Sequence, residues 1–221
     1  MTEYKPVTPQ QQPKFAGIKT YMRLPHLKAV RGIDFAVAGI PWDGATSYRT
    51  GQRLGPDAIR NDQYFDRPYY HGSMFRRAVE ENILLPGSSI QVGMRGPVYS
   101  KNAYDESTSL GFKVVTMSAV REMGLQRLIE IIKNRVGQNK VFVSFDIDVV
   151  DPAYAPGTGT PEVGGFTSAE AVDLIRGLKG LDFVGFDVVE VLPDYDVAEI
   201  TALLAANIVY EFLSLIALNK S

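Results

Sequence analysis

Short, near-continuous apolar runs alternate along this chain with longer stretches whose apolar residues recur every three or four positions. Residues 33–40, 88–94, 112–117, 140–147 and 181–191 are the short runs, and each reads as a strand buried on both faces. Between them, 74–82 reads as a short helix. Residues 118–136 show helical periodicity, with Leu125, Leu128, Ile129, Ile131 and Ile132 on the apolar face. Thr167 and Glu170 have the spacing of a capping box, opening a helix to about Leu178. The run Asp196–Glu199 is placed to cap a last helix ending near Leu218. Buried strands alternating with helices predict an α/β fold around a parallel sheet. The polar, Pro- and Gln-rich residues 1–14 read as a flexible arm before a single domain over 15–221.

Composition changes this picture little. The chain has 221 residues, 45% apolar and 22% charged, with a formal net charge of −2. That balance leaves no basic footprint for nucleic acid or an anionic membrane. The absence of cysteine excludes thiol nucleophiles, zinc–thiolate sites and disulfides. The N-terminus lacks the apolar core of a secretory signal, and no window reads as a membrane span. A cytoplasmic protein is expected.

Candidate chemistry gathers where strands end, because sites in parallel α/β sheets form at the carboxyl ends. Asp146 and Asp148 close the run KVFVSFDI, two residues apart, so a strand would aim both at one point. Two like charges together call for a compensating cation. The competing reading is an Asx-turn, since Asp151 and Pro152 follow. Glu190 ends the next strand; it is either an exposed terminus or a carboxylate for a planar guanidinium. His71, in YYHGSMFRR, is either a capping histidine or a proton shuttle. His26 reads as structural. The loop PWDGATSYRTGQRLGP lacks phosphate-cradle spacing and reads as a tight connection.

Several blocks in order carry a resemblance: AGIPWDGATSYRTGQRLGPDAIR, YYHGSMFRRAVEE, IQVGMRG, SFDIDVVDPAYAPGTGTPEVGG and FDVVEVLPDYDVAEITALLAANIVYE. From Phe15 onward the chain resembles the ureohydrolases, and within them the agmatinase-like branch. The resemblance implies a three-layer α/β/α fold with a mostly parallel sheet. It implies a binuclear Mn2+ centre and hydrolysis of a guanidino compound to urea and an amine, with homo-oligomers (trimers or hexamers). Agmatine is the first substrate it suggests, with guanidinobutyrate, guanidinopropionate and guanidine as alternatives. Asp146 and Asp148 match a pair of metal ligands, His71 the proton shuttle, and Glu190 the partner of the guanidinium.

The chain also departs from that pattern. The Gly-Gly-Asp-His and Asp-Ala-His-x-Asp segments, which supply the remaining metal ligands, have no counterpart here. Only ten residues separate Ile59-Arg60 from His71-Gly72, where the family places both segments. A seam is therefore expected near 61–62, and the sheet would lack strands. Two explanations follow: a segment of the molecule lies beyond this sequence at the seam, or the chain is a non-catalytic relative. The cost of exposed sheet edges favours the first.

Overall fold

The structure, a computed structural model, describes residues 36, 38, 63, 64, 67, 68, 74–97, 102 and 104–219. The chain divides into two compact units, Met1–Ile40 and Pro41–Ser221, and nearly all described residues belong to the second. Of the run expected to form the first strand, residues 36 and 38 are exposed and without regular structure, and the rest lies outside the described residues. So do His26, His71, the glycine-rich loop and the 14/15 boundary.

In chain order the elements are β1 (Gln63–Tyr64), β2 (Arg67–Pro68), α1 (Met74–Glu80), β3 (Ile90–Met94), α2 (Asp105–Ser109) and β4 (Lys113–Thr116). Then come α3 (Met117–Met123), α4 (Leu125–Val136), β5 (Lys140–Asp146), α5 (Ser168–Gly177), β6 (Asp182–Val189) and α6 (Ile200–Leu218). β1 and β2 form a small antiparallel pair; β3 pairs with β4, and β5 with β6, both in parallel. Alternating helices and parallel strands bear out the α/β class. No backbone ladder joins β3–β4 to β5–β6 among the described residues.

Local sequence explains most boundaries. Thr167 and Glu170 form the expected capping box, each side chain reaching the other's backbone N–H. The helix expected over 118–136 is two helices. Gly124, at φ +77°, separates α3 from α4 in a conformation that only glycine adopts without strain. Asp196 accepts the N–H groups of Thr201 (3.0 Å) and Ala202 (2.9 Å), so it does cap α6, whose first helical residue is Ile200.

Helices α3 to α6 pack successively on one another, α3 and α4 against β3 and α6 against β6. In β5, Val141 and Phe145 are buried, while Phe142 is 54% exposed on the other face. Phe212 of α6 stacks on Phe186 (centroids 4.8 Å apart) and meets Phe183 edge-on (6.1 Å). The expectation that no stretch is apolar enough to span a membrane needs correction. Ile200–Leu218 qualifies by length and composition. In the fold, its Leu204, Ile208, Phe212, Leu215 and Ile216 are buried in the core.

Candidate functional site

The carboxyl ends of β5 and β6 lie side by side, with Asp146 opposite Val189 in the parallel register. The strand stops at Asp146 because its Oδ1 accepts the N–H of Asp148 at 3.0 Å, opening a 3-10 turn over Ile147–Val149. Ile147 is fully buried and anchors the turn. The two aspartates are thus brought together by a turn and not by strand alternation, which corrects the same-face argument. Asp148 Oδ2 accepts the hydroxyl of Thr160 at 2.8 Å.

Burial pushes the Asp146 carboxyl well above its ordinary range; the charges of Asp148 and then Glu190 push the same way, against the hydrogen bond from the Asp148 N–H. The charges of Asp148 and Glu190 therefore both act at the Asp146 locus.

Glu190 reaches it by a backbone device. Continuing the β6 alternation would put Glu190 on the face of Phe186 and Val188, which belongs to the core. At φ +64° its backbone is left-handed, which breaks the alternation. A non-glycine residue in this region is strained and is held there by its surroundings. The holding contacts are visible just beyond it. Leu192 N–H donates to Gly157 O (2.8 Å), Thr158 bridges Val191, and Gly157 N–H donates to Thr201 Oγ1 (2.8 Å). The PGTG loop and the start of α6 therefore clamp the exit of β6.

Asp146, through the Asp148 N–H, makes the Asx-turn of the competing reading, and Asp151 makes a second one. Its Oδ1 accepts Ala153 N–H at 2.9 Å and its Oδ2 accepts Gly164 N–H at 2.6 Å. The Ala153 bond, then those from Gly164 and Gly165, hold its carboxyl below the usual range, with Arg95 adding to the effect. Residues not picked out from sequence are Thr160, Thr201, Arg95 and the cross-strand pair Ser144–Asp187. The sequence signals for them are a hydroxyl within the PGTGTPE block, the charge closing IQVGMRG, and two polar residues within apolar strands.

A family model described as the arginase family matches residues 33–66 and 61–214. The chain belongs to the arginase family. Guanidinopropionase of Pseudomonas aeruginosa is 33% identical over 305 positions, covering 96% of this chain and 96% of that protein. Mitochondrial agmatinase of Gallus gallus is 45% identical over 153 residues, 69% of this chain and 45% of that one. The solved proclavaminate amidino hydrolase from Streptomyces clavuligerus superposes with a TM-score of 0.65 at 42% identity, over 71% of this chain and 51% of that one. This arginase-family chain thus spans about half the length of that solved structure. An alignment of 305 positions also exceeds its 221 residues, so part of guanidinopropionase faces no residue here. The family fold is shown by these likenesses.

Proposed function

We propose that this chain is an amidinohydrolase that receives a small linear guanidino compound at the carboxyl ends of β5 and β6. Agmatine comes first and guanidinobutyrate, guanidinopropionate and guanidine follow. The observation that carries the proposal is the left-handed backbone at Glu190, whose charge acts on the same locus as Asp146 and Asp148. A strained carboxylate residue whose charge acts on Asp146 fits a site built for a cation. A guanidinium, planar and permanently charged, matches a carboxylate in paired hydrogen bonds. In the reaction, water adds to the guanidino carbon and the bond from that carbon to the substituted nitrogen breaks. Urea and the amine leave. Glu190 orients the guanidinium, and His71 is assigned delivery of the proton to the departing amine.

The family implies a binuclear manganese centre, and the residues present meet its donor needs only in part. The whole sequence has two histidines and no cysteine, and among the described residues no group of three metal-binding side chains exists. Asp146 and Asp148 supply part of such a centre and do not complete it. The enzymatic reading therefore requires donors beyond this sequence, and the seam where the two family-matched stretches meet, 61–66, is the place for them. The donor shortage favours a second reading, a non-catalytic family member that assembles with other subunits. The first reading carries with it a cytoplasmic homo-oligomer, trimeric or hexameric, without nucleic-acid or membrane partners.

Intact mass and urea release discriminate. A mass above 24.4 kDa, with urea formed from a guanidino compound after manganese loading, supports the hydrolase. A mass at 24.4 kDa with no urea from any of the four compounds establishes the second reading. In an active protein, Asp148→Ala is expected to lose bound metal and turnover together. Glu190→Gln is expected to keep metal and weaken turnover; full turnover in that variant removes Glu190 from the site.

A further inference from the structure

We propose that Arg95 is a positioning residue for the carboxylate locus, fixing the backbone from which Asp148 presents its side chain; this rests on the reading of Asp146, Asp148 and Glu190 as the site. Arg95 follows the last residue of β3, on a sheet that shares no ladder with β5. The chain segments entering the two strands are nonetheless linked, Asn139 Nδ2 donating to Ser88 Oγ at 3.1 Å. At their ends Arg95 takes over. Its Nη2 donates to the carbonyls of Asp148, Glu162 (2.9 Å) and Val150 (3.5 Å), and its Nη1 to Gly93 O (3.4 Å). Its Nε is buried without a hydrogen-bond partner.

The carbonyl contacts have a specific consequence. Thr160, which donates to Asp148 Oδ2, lies two residues before Glu162. Arg95 therefore grips the backbone at one end of the Thr160–Asp148 hydrogen bond and two residues from the other. The end of β3 is shaped for this docking. Gly93 sits at φ +87°, and a Cβ there would stand 2.4 Å from Val149 Cγ2, so any side chain would push the Asp148 turn away. A planar fork can hold several carbonyls in one fixed geometry, whereas a lysine ammonium is a single flexible point charge.

The test compares the full chain with Arg95→Lys, Arg95→Met and Arg95→Ala by amide hydrogen exchange. In Arg95→Lys and Arg95→Met, exchange over 146–163 is expected to speed up about tenfold, while α6 (Ile200–Leu218) keeps its protection. Non-denaturing guanidinium ion, added to Arg95→Ala, is expected to restore protection, and ammonium at equal ionic strength is not. If the wild type releases urea, the variants are expected to lose kcat with KM nearly unchanged, because Glu190 stays in place. Unchanged exchange over 146–163 in Arg95→Met overturns the proposal. So does equal loss over α6, which would make Arg95 a general brace, or full restoration by lysine, which would make charge alone sufficient. A wild type without urea release sinks the amidinohydrolase reading, and the exchange pattern then decides on Arg95 by itself.

Discussion

Replacing Thr201 by valine removes one oxygen and keeps the side-chain shape. In the native fold that oxygen accepts the N–H of Gly157 at 2.8 Å and hydrogen-bonds the Asp196 carboxylate. Thr201 is 0% exposed and Gly157 is buried, so no water replaces the lost acceptor. Leaving a buried N–H unpaired costs about 1–3 kcal/mol. For a chain of 221 residues, each kcal/mol corresponds to a fall in Tm of roughly 2–4 °C. Urea denaturation of the wild type, Thr201→Val and Thr201→Ser measures the cost, with serine expected to keep most of the stability because it retains the hydroxyl. The consequence reaches the site, because the Gly157 carbonyl holds Leu192 N–H two residues after Glu190. Exchange over 190–192 is therefore expected to rise in Thr201→Val more than exchange in β5. A valine variant within about 0.5 kcal/mol of wild type, the range of an ordinary surface substitution, refutes the clamp.

Other expectations follow from the same structure. Asp196→Ala removes the cap on α6 and is expected to cost about 1–2 kcal/mol at neutral pH. Burial raises the Asp196 carboxyl, but the N–H groups of Thr201 and Ala202 outweigh it and hold it below the ordinary value. Its contribution is therefore present above about pH 4 and disappears as pH falls through the folded-state pKa. The gap between wild type and variant in urea melts must narrow in acid; a gap that stays constant rules the charge out. Asp187 is shifted the other way: burial raises its carboxyl against hydrogen bonds from Ser144 and Phe145. Its ionisation works against folding, so Asp187→Asn is expected to gain stability relative to wild type as pH rises from acid to neutral, and a pH-independent difference counts against that assignment. Phe212→Ala empties a fully buried position between Phe183 and Phe186 and is expected to cost about 3–5 kcal/mol by denaturant unfolding.

The parts of the fold legible in the sequence are those with local causes. The capping box at Thr167 and Glu170, the buried runs of β5 and β6, and the Asp196 cap depend on residues a few positions apart. Gly124 was equally local, yet its break was hidden inside continuous apolar periodicity. Helix α2, of sequence DESTS, has no apolar face to announce it. The long apolar run of α6 carries one glutamate, and only the packing of Ile208 and Phe212 identifies it as a core helix. At the site, the pairing of Asp146 and Asp148 was legible in SFDID, but as strand alternation and not as the turn that Asp146 makes with the Asp148 N–H. The left-handed backbone of Glu190 was not: the bonds that clamp the exit of β6 come from residues 157 and 201, far along the chain. Arg95 was hidden for the same reason: its partners lie 53 to 67 positions along the chain.

This division also explains how the chain carries a family's site residues without its full donor set. Asp146, Asp148 and Thr160 hold one another, and Asp151 ties Ala153 to Gly164, through bonds that span at most 13 positions. The Glu190 kink is held by the PGTG loop and α6. Every bond named in the two arrangements is between protein atoms. Forming the locus and neutralising it are separate requirements. Three carboxylates acting on one partly buried point raise the cost of ionising Asp146, and a proton or a cation must meet that cost. Guanidino hydrolysis asks for more: a carboxylate free to meet the guanidinium and a water made nucleophilic near neutral pH. The local bonds give the geometry for the first, and completion of the donor set decides the second.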